Sequence, residues 1–170
     1  MSASVIFNLH LLLGYIAWLI CTSAYILPKL RAMDQISAQR VIAMLHSFRF
    51  FGLVFILPGV VGTNLPGGFA SFAAYGDFAT GLLAIVALLT IRIRPLFWPF
   101  VVGFNLVGTI DILADYYNGV RLNLPAASGG LGATYGIVII YVPLLMITHV
   151  ISFSLLLSSK TTKHNKIVSS

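Results

Sequence analysis

The sequence predicts an all-α membrane protein, a single bundle of five transmembrane helices. Three observations carry that reading. Charged residues make up 8% of the chain, about a third of the roughly 25% usual in soluble domains. Hydrophobic residues make up 59%, and the mean hydropathy is +0.99. Five separate apolar runs each reach the roughly 20 residues that a bilayer core demands.

The first run, 5–28, ends at Pro28 with Lys29 and Arg31 around it. Met1 to Ile6 holds no Lys or Arg, so it lacks the basic start of a secretory signal and reads as part of a retained helix. The second run, 40–62, ends in the turn-forming Thr63-Asn64-Leu65-Pro66-Gly67-Gly68, and Asp34 or Ser37 is placed to cap its start. The third, 69–91, is closed by Arg92, Arg94 and Pro95. The fourth, 96–117, is closed by Asn118-Gly119, and a loop from Gly119 to Gly130 leads to the fifth, 131–157. None alternates as a barrel strand does. In lipid an unpaired backbone is too costly for any open structure, which leaves helices. Short connections favour one compact unit, residues 1–157, followed by a basic polar tail, 158–170.

Charge placement sets the expected orientation. Lys29, Arg31, Arg40, Arg92, Arg94, Lys160, Lys163 and Lys166 all fall on one side of an alternating five-span topology. The positive-inside rule then puts the C-terminus in the cytoplasm and the N-terminus outside. The same placement turns a net charge of +6 into a topology signal and excludes nucleic acid as a partner. The expected partner is the lipid bilayer, with a second copy or another membrane protein beyond it. Cys21 stands alone and reads as a small buried residue, with no disulfide and no zinc spacing.

Ionisable side chains within apolar runs are costly and so mark candidate function. Depth arithmetic at about 1.5 Å per residue sorts them into two layers. His46, Arg49 and His149 fall in an inner layer, with His46 and Arg49 three residues apart on one face. His10, Asp77 and Asp111 fall in an outer layer, Asn105 sits near mid-membrane, and Asp115 is expected near the headgroups. Arg49 keeps its proton and needs an acceptor.

Three functions fit these residues. The polar groups could fix helix register and support assembly or a partner, a non-enzymatic role that takes precedence here. They could line a path for a proton or small solute. His46 and His149, at matched depth on different helices, could ligate the iron of haem b axially. No catalytic residues are assigned: Ser47 points away from its neighbour His46, and no nucleophile elbow is present.

Pro58 in the second run and Pro143 in the fifth are expected to bend their helices. Gly103, Gly108 and the Gly132–Gly136 pair could allow close helix approach. Trp98, with Phe97 and Phe100, reads as an interfacial aromatic belt.

Four stretches form a recognisable set: Leu45 to Leu53 with Leu57-Pro58-Gly59; Ala73-Ala74-Tyr75-Gly76-Asp77; Phe104 to Asp111; and Tyr141-Val142-Pro143-Leu144 with Thr148-His149. Together they resemble an uncharacterised group of small bacterial multi-pass inner-membrane proteins. The resemblance implies a bacterial inner-membrane location. It brings no activity or cofactor with it.

Overall fold

A computed structural model describes the backbone of residues 1–168 and the side chains of residues 1–158. The side chains of Lys160, Lys163, His164 and Lys166, and with them the expected basic tail, lie outside that description. Among the described residues the chain is all-helical, and five stretches are long and apolar enough to cross a membrane: Ala3–Ala32, Gln35–Ile56, Gly67–Leu89, Arg94–Arg121 and Ile137–Ser158.

The first stretch is α1 (Ala3–Cys21), a π turn at Thr22–Ile26, and α2 (Leu27–Ala32). A two-residue corner follows. There Asp34 caps α3 (Gln35–Ser47), accepting from the Ser37 backbone N–H at 3.1 Å and the Ser37 hydroxyl at 2.5 Å. Those donors hold the Asp34 carboxyl below the usual carboxylate range. Of the two expected caps, Asp34 is the one used.

From Phe48 to Ile56 the chain tightens into a 3-10 helix. Nine residues is long for this form, which seldom exceeds three or four. The burial pattern matches it: Arg49, Gly52 and Phe55 are buried at a strict spacing of three, the period of a 3-10 turn. The helix ends at Ile56, with Leu57 already extended. Pro58 therefore lies in the following turn and bends no helix, contrary to expectation, and the second span stops six residues short of Gly62.

The polypeptide returns through α4 (Gly67–Leu89), then α5 (Arg94–Arg121), which has Pro95 in its first turn and carries Pro99 inside. A short 3-10 segment, Ser128–Thr134, and a π turn, Ile137–Tyr141, lead into α6 (Val142–Val168). The fifth span thus starts later than Leu131. Gly132 (φ 52°, ψ −129°) breaks the helix, and a Cβ at Gly136 would meet nothing. The Gly132–Gly136 pair is not a helix-packing motif.

Pro143 removes a backbone N–H and leaves the carbonyl of Ile139 without its α-helical donor. The π turn just before it absorbs the ring, as the one at Thr22–Ile26 does before Pro28. This widened turn is where α1 docks. The Trp18 indole N–H donates to the Ile140 carbonyl at 2.7 Å. Gly14 lies so close to the Ile139 carbonyl that a Cβ there would strike it.

The helices from α3 to α6 make the core. α4 packs on both the second stretch and α5, and α6 packs on α3 and α5. α1 lies outside, along α6 and its π turn. Only 11% of its most apolar window is buried, against 50% for the last stretch. Two apolar clusters fill the interior. One contains Ile42, Ala84, Phe97, Val101 and Ile151. The other contains Phe7, Phe55, Phe69, Ala73 and Leu131. A layer of buried polar side chains separates them.

Candidate functional site

Arg49 is at the centre of that layer, 1% exposed. Its Nε donates to Asp77 Oδ1 at 2.6 Å and its Nη2 to Asp111 Oδ2 at 2.5 Å. Its Nη1 faces the Gly108 carbonyl at 3.3 Å and His149 Nε2 at 3.2 Å. The guanidinium thus joins the second stretch to α4, α5 and α6 at once. A planar fork with five donors suits this task, and a lysine would not.

The histidine tautomers follow from the partners. Asn105 Nδ2 donates to the Val101 carbonyl at 2.8 Å, so its Oδ1 faces His149 Nδ1 at 2.9 Å as an acceptor. His149 therefore carries its proton on Nδ1 and accepts from Arg49 on Nε2. The Thr148 hydroxyl donates to carbonyls of its own helix, so it accepts from His46 Nε2 at 3.0 Å. His46 Nδ1 is buried without a partner.

The room for this cluster is made by glycines. A Cβ at Gly108 would come within 2.5 Å of both Arg49 Nη1 and His149 Nε2. At Gly76 it would overlap the Asp111 carboxylate, and at Gly52 that of Asp77. At Gly81 it would lie 2.7 Å from the Phe50 backbone nitrogen, so Gly81 lets the chain around Arg49 approach α4.

Of the residues singled out in the sequence, His46, Arg49, Asp77, Asn105, Asp111 and His149 meet here. The two depth layers are one cluster, because the long Arg49 side chain reaches from His149 to both aspartates. His10 does not join it. It is exposed and pairs through Nδ1 with the Tyr135 hydroxyl at 3.0 Å. Asp115, assigned to the headgroup region, is partly buried one turn from Asp111, and its Oδ1 has no partner.

Sequence reasoning missed a polar seam between α3 and α6. The Gln39 amide and Ser152 bond each other, Ser152 Oγ to Gln39 Oε1 at 2.7 Å and Gln39 Nε2 to the Ser152 carbonyl at 3.0 Å. Gln35 Nε2 donates to the Leu155 carbonyl at 3.2 Å. The signal was present: Gln35, Gln39 and His46 stand four and then seven residues apart, one stripe of an α-helix.

A cavity of about 110 Å³ reaches the cluster from one side. Asn8, Arg49, Asp77, Asp115 and Tyr116 line its polar part, and Phe7, Leu11, Phe55, Phe69, Ile112 and Val138 are among its apolar walls. The other side is closed. The His46 ring lies 4.0 Å from that of His149 and 5.4 Å from that of Phe104, centroid to centroid.

That ring contact bears on haem. Two axial histidines stand on opposite faces of the macrocycle. Here the rings lie directly against each other, and both nitrogens of His149 are engaged within the cluster. The pair does not fit axial ligation. Among the described residues no group of three or more His, Cys, Asp or Glu is placed to hold a metal ion.

Fold and site together define a helical bundle of membrane-spanning proportions built around a buried Arg–Asp–His cluster. The chain belongs to the family described as Domain of unknown function (DUF8737), which matches residues 6–157. No curated protein and no solved structure matches it.

Proposed function

We propose that this protein is an integral membrane carrier that moves protons, with or without a small solute, through its polar interior. The observation that carries the reading is the cavity that ends on Arg49, Asp77 and Asp115. A cluster serving only to hold helices together has no need of access. A buried ion pair is also a poor stabiliser, because desolvation offsets most of its Coulombic gain. Charges kept inside a membrane bundle and open to a cavity are the usual mark of an ion or substrate path.

The chemistry agrees. One guanidinium faces Asp77 and Asp111, with Asp115 one turn further along α5. The carboxyls outnumber the single cation, which leaves exchangeable positions for protons. Arg49 holds two of them in place. The closed side, His46 on His149 and Phe104, is the barrier that an alternating-access cycle would have to open. The positive-inside distribution supports a cavity facing away from the cytoplasm, and the resemblance of the sequence supports a bacterial inner membrane as its home.

The test uses purified protein in phospholipid vesicles loaded with a pH-sensitive dye. An imposed pH gradient should collapse faster with protein than without it. Asp77→Asn and Asp111→Asn should remove that excess while the detergent-purified variants stay monodisperse. No excess flux in the wild type would defeat the reading.

A structural role is the second reading. It is favoured by the Gln39–Ser152 seam, which ties α3 to α6 through residues that do not line the cavity described above. Such contacts are modest, on average about 0.6 kcal/mol each, and act mainly on register.

A further inference from the structure

We infer that the cavity binds a small organic cation, an ammonium group on an apolar body of about four to six heavy atoms. The inference rests on the carrier reading above and names the solute class of that site. The size follows from the volume. A cavity of about 150 Å³ lined by apolar residues takes benzene, and this one measures about 110 Å³.

The polarity follows from which hydrogen-bond positions are open. Arg49 directs its donors to Asp77, Asp111, the Gly108 carbonyl and His149. Its charge is already met within the cluster. Open acceptors remain. Asp77 is 7% exposed and lines the cavity, and Arg49 occupies only its Oδ1. Asp115 lines it too. Asn8 also lines the cavity and can donate or accept, but a ligand that meets both carboxyls must bring donors and positive charge. An ammonium brings three donors and no acceptor. A carboxylate would meet two carboxylates, and a neutral apolar molecule would leave the acceptors unpaired. The apolar body has Phe7, Leu11, Phe55, Phe69, Ile112 and Val138 to lie against.

The test compares n-butylamine, 1-butanol and butyrate, four-carbon molecules that differ in their polar group, by calorimetry on the purified protein in detergent at pH 7. Butylamine should bind at least tenfold more tightly than butanol, and butyrate should not bind measurably. Asp115→Asn should weaken butylamine at least tenfold and leave butanol unchanged. If that variant does not fold, Val138→Trp, which fills the cavity without touching a charge, should abolish butylamine binding. Butanol equal to butylamine, butyrate bound as well as either, or no amine binding would overturn the inference. Binding is read without flux, so the two proposals fail separately. Amine binding without proton movement defeats only the carrier reading, and proton movement without amine binding defeats only this one.

Discussion

Arg49 and Asp111 are 62 positions apart in sequence and 2.5 Å apart in the fold, an ion pair between the 3-10 end of the second span and the middle of α5. Its direct consequence concerns stability. Arg49→Ala would leave two aspartates buried against each other, and removing one partner of a buried pair costs about 3–5 kcal/mol. The loss should appear as a large fall in the unfolding midpoint in mixed micelles. Replacing the cluster whole, with Arg49→Met, Asp77→Asn and Asp111→Asn together, should restore most of the stability and none of the flux. A triple variant that still moves protons would remove the cluster from the path.

Glycine substitutions separate close packing from helix propensity. Gly108→Ala would put a methyl within 2.5 Å of Arg49 and His149. It should destabilise the fold strongly despite the gain in propensity. Gly103→Ala, on the same helix, faces only Leu83 at 3.9 Å. It should be neutral or stabilising by up to about 1 kcal/mol. Thermal unfolding of the two variants side by side checks this, and equal effects would mean that Gly108 makes no room for the cluster.

The contact between the two histidine rings gives a spectroscopic expectation. With centroids 4.0 Å apart, the rings leave no slot for a macrocycle. Protein purified from cells with ample haem should show no Soret band that depends on His46 and His149. A band lost in both His46→Ala and His149→Ala would overturn the arrangement described here.

Asp34 supplies a pH dependence outside the spans. Its carboxyl is held low by the Ser37 donors, so its folded pKa lies beneath the unfolded one. The cap therefore contributes fully above the unfolded value and is lost as pH falls through the folded one. Hydrogen exchange of the first turn of α3 should quicken over that acid window. In Asp34→Ala it should be fast at every pH, and a wild type with no such change would show that the carboxylate is not the cap.

Much of this was legible in the sequence, for physical reasons. The five spans follow from hydropathy, since hydrocarbon tolerates little else. Six residues of the cluster follow from the cost of polar groups in such runs. What was missed depends on details finer than one residue type per position. Phe48–Ile56 has the composition of an α-helix end, and only its buried period of three marks the tighter winding. Depth at a fixed rise per residue separated Arg49 from Asp77 and Asp111, because it measures backbone positions and ignores the reach of a side chain. Gly108 reads as generic packing, and Gly52 and Gly76 carry no signal of their own, until their facing side chains are known. His10 stands out on the same grounds as His46, yet it sits on an exposed position of α1, in the least buried of the five described spans.

The most direct measurement is proton flux through vesicles reconstituted with a variant that blocks the cavity and alters no charge. Val138→Trp places a large side chain in the apolar lining of the cavity and leaves Arg49, Asp77 and Asp111 as they are. If the cavity feeds the cluster, flux should fall at least tenfold while the variant remains folded and monodisperse. Flux equal to that of the wild type would contradict the account.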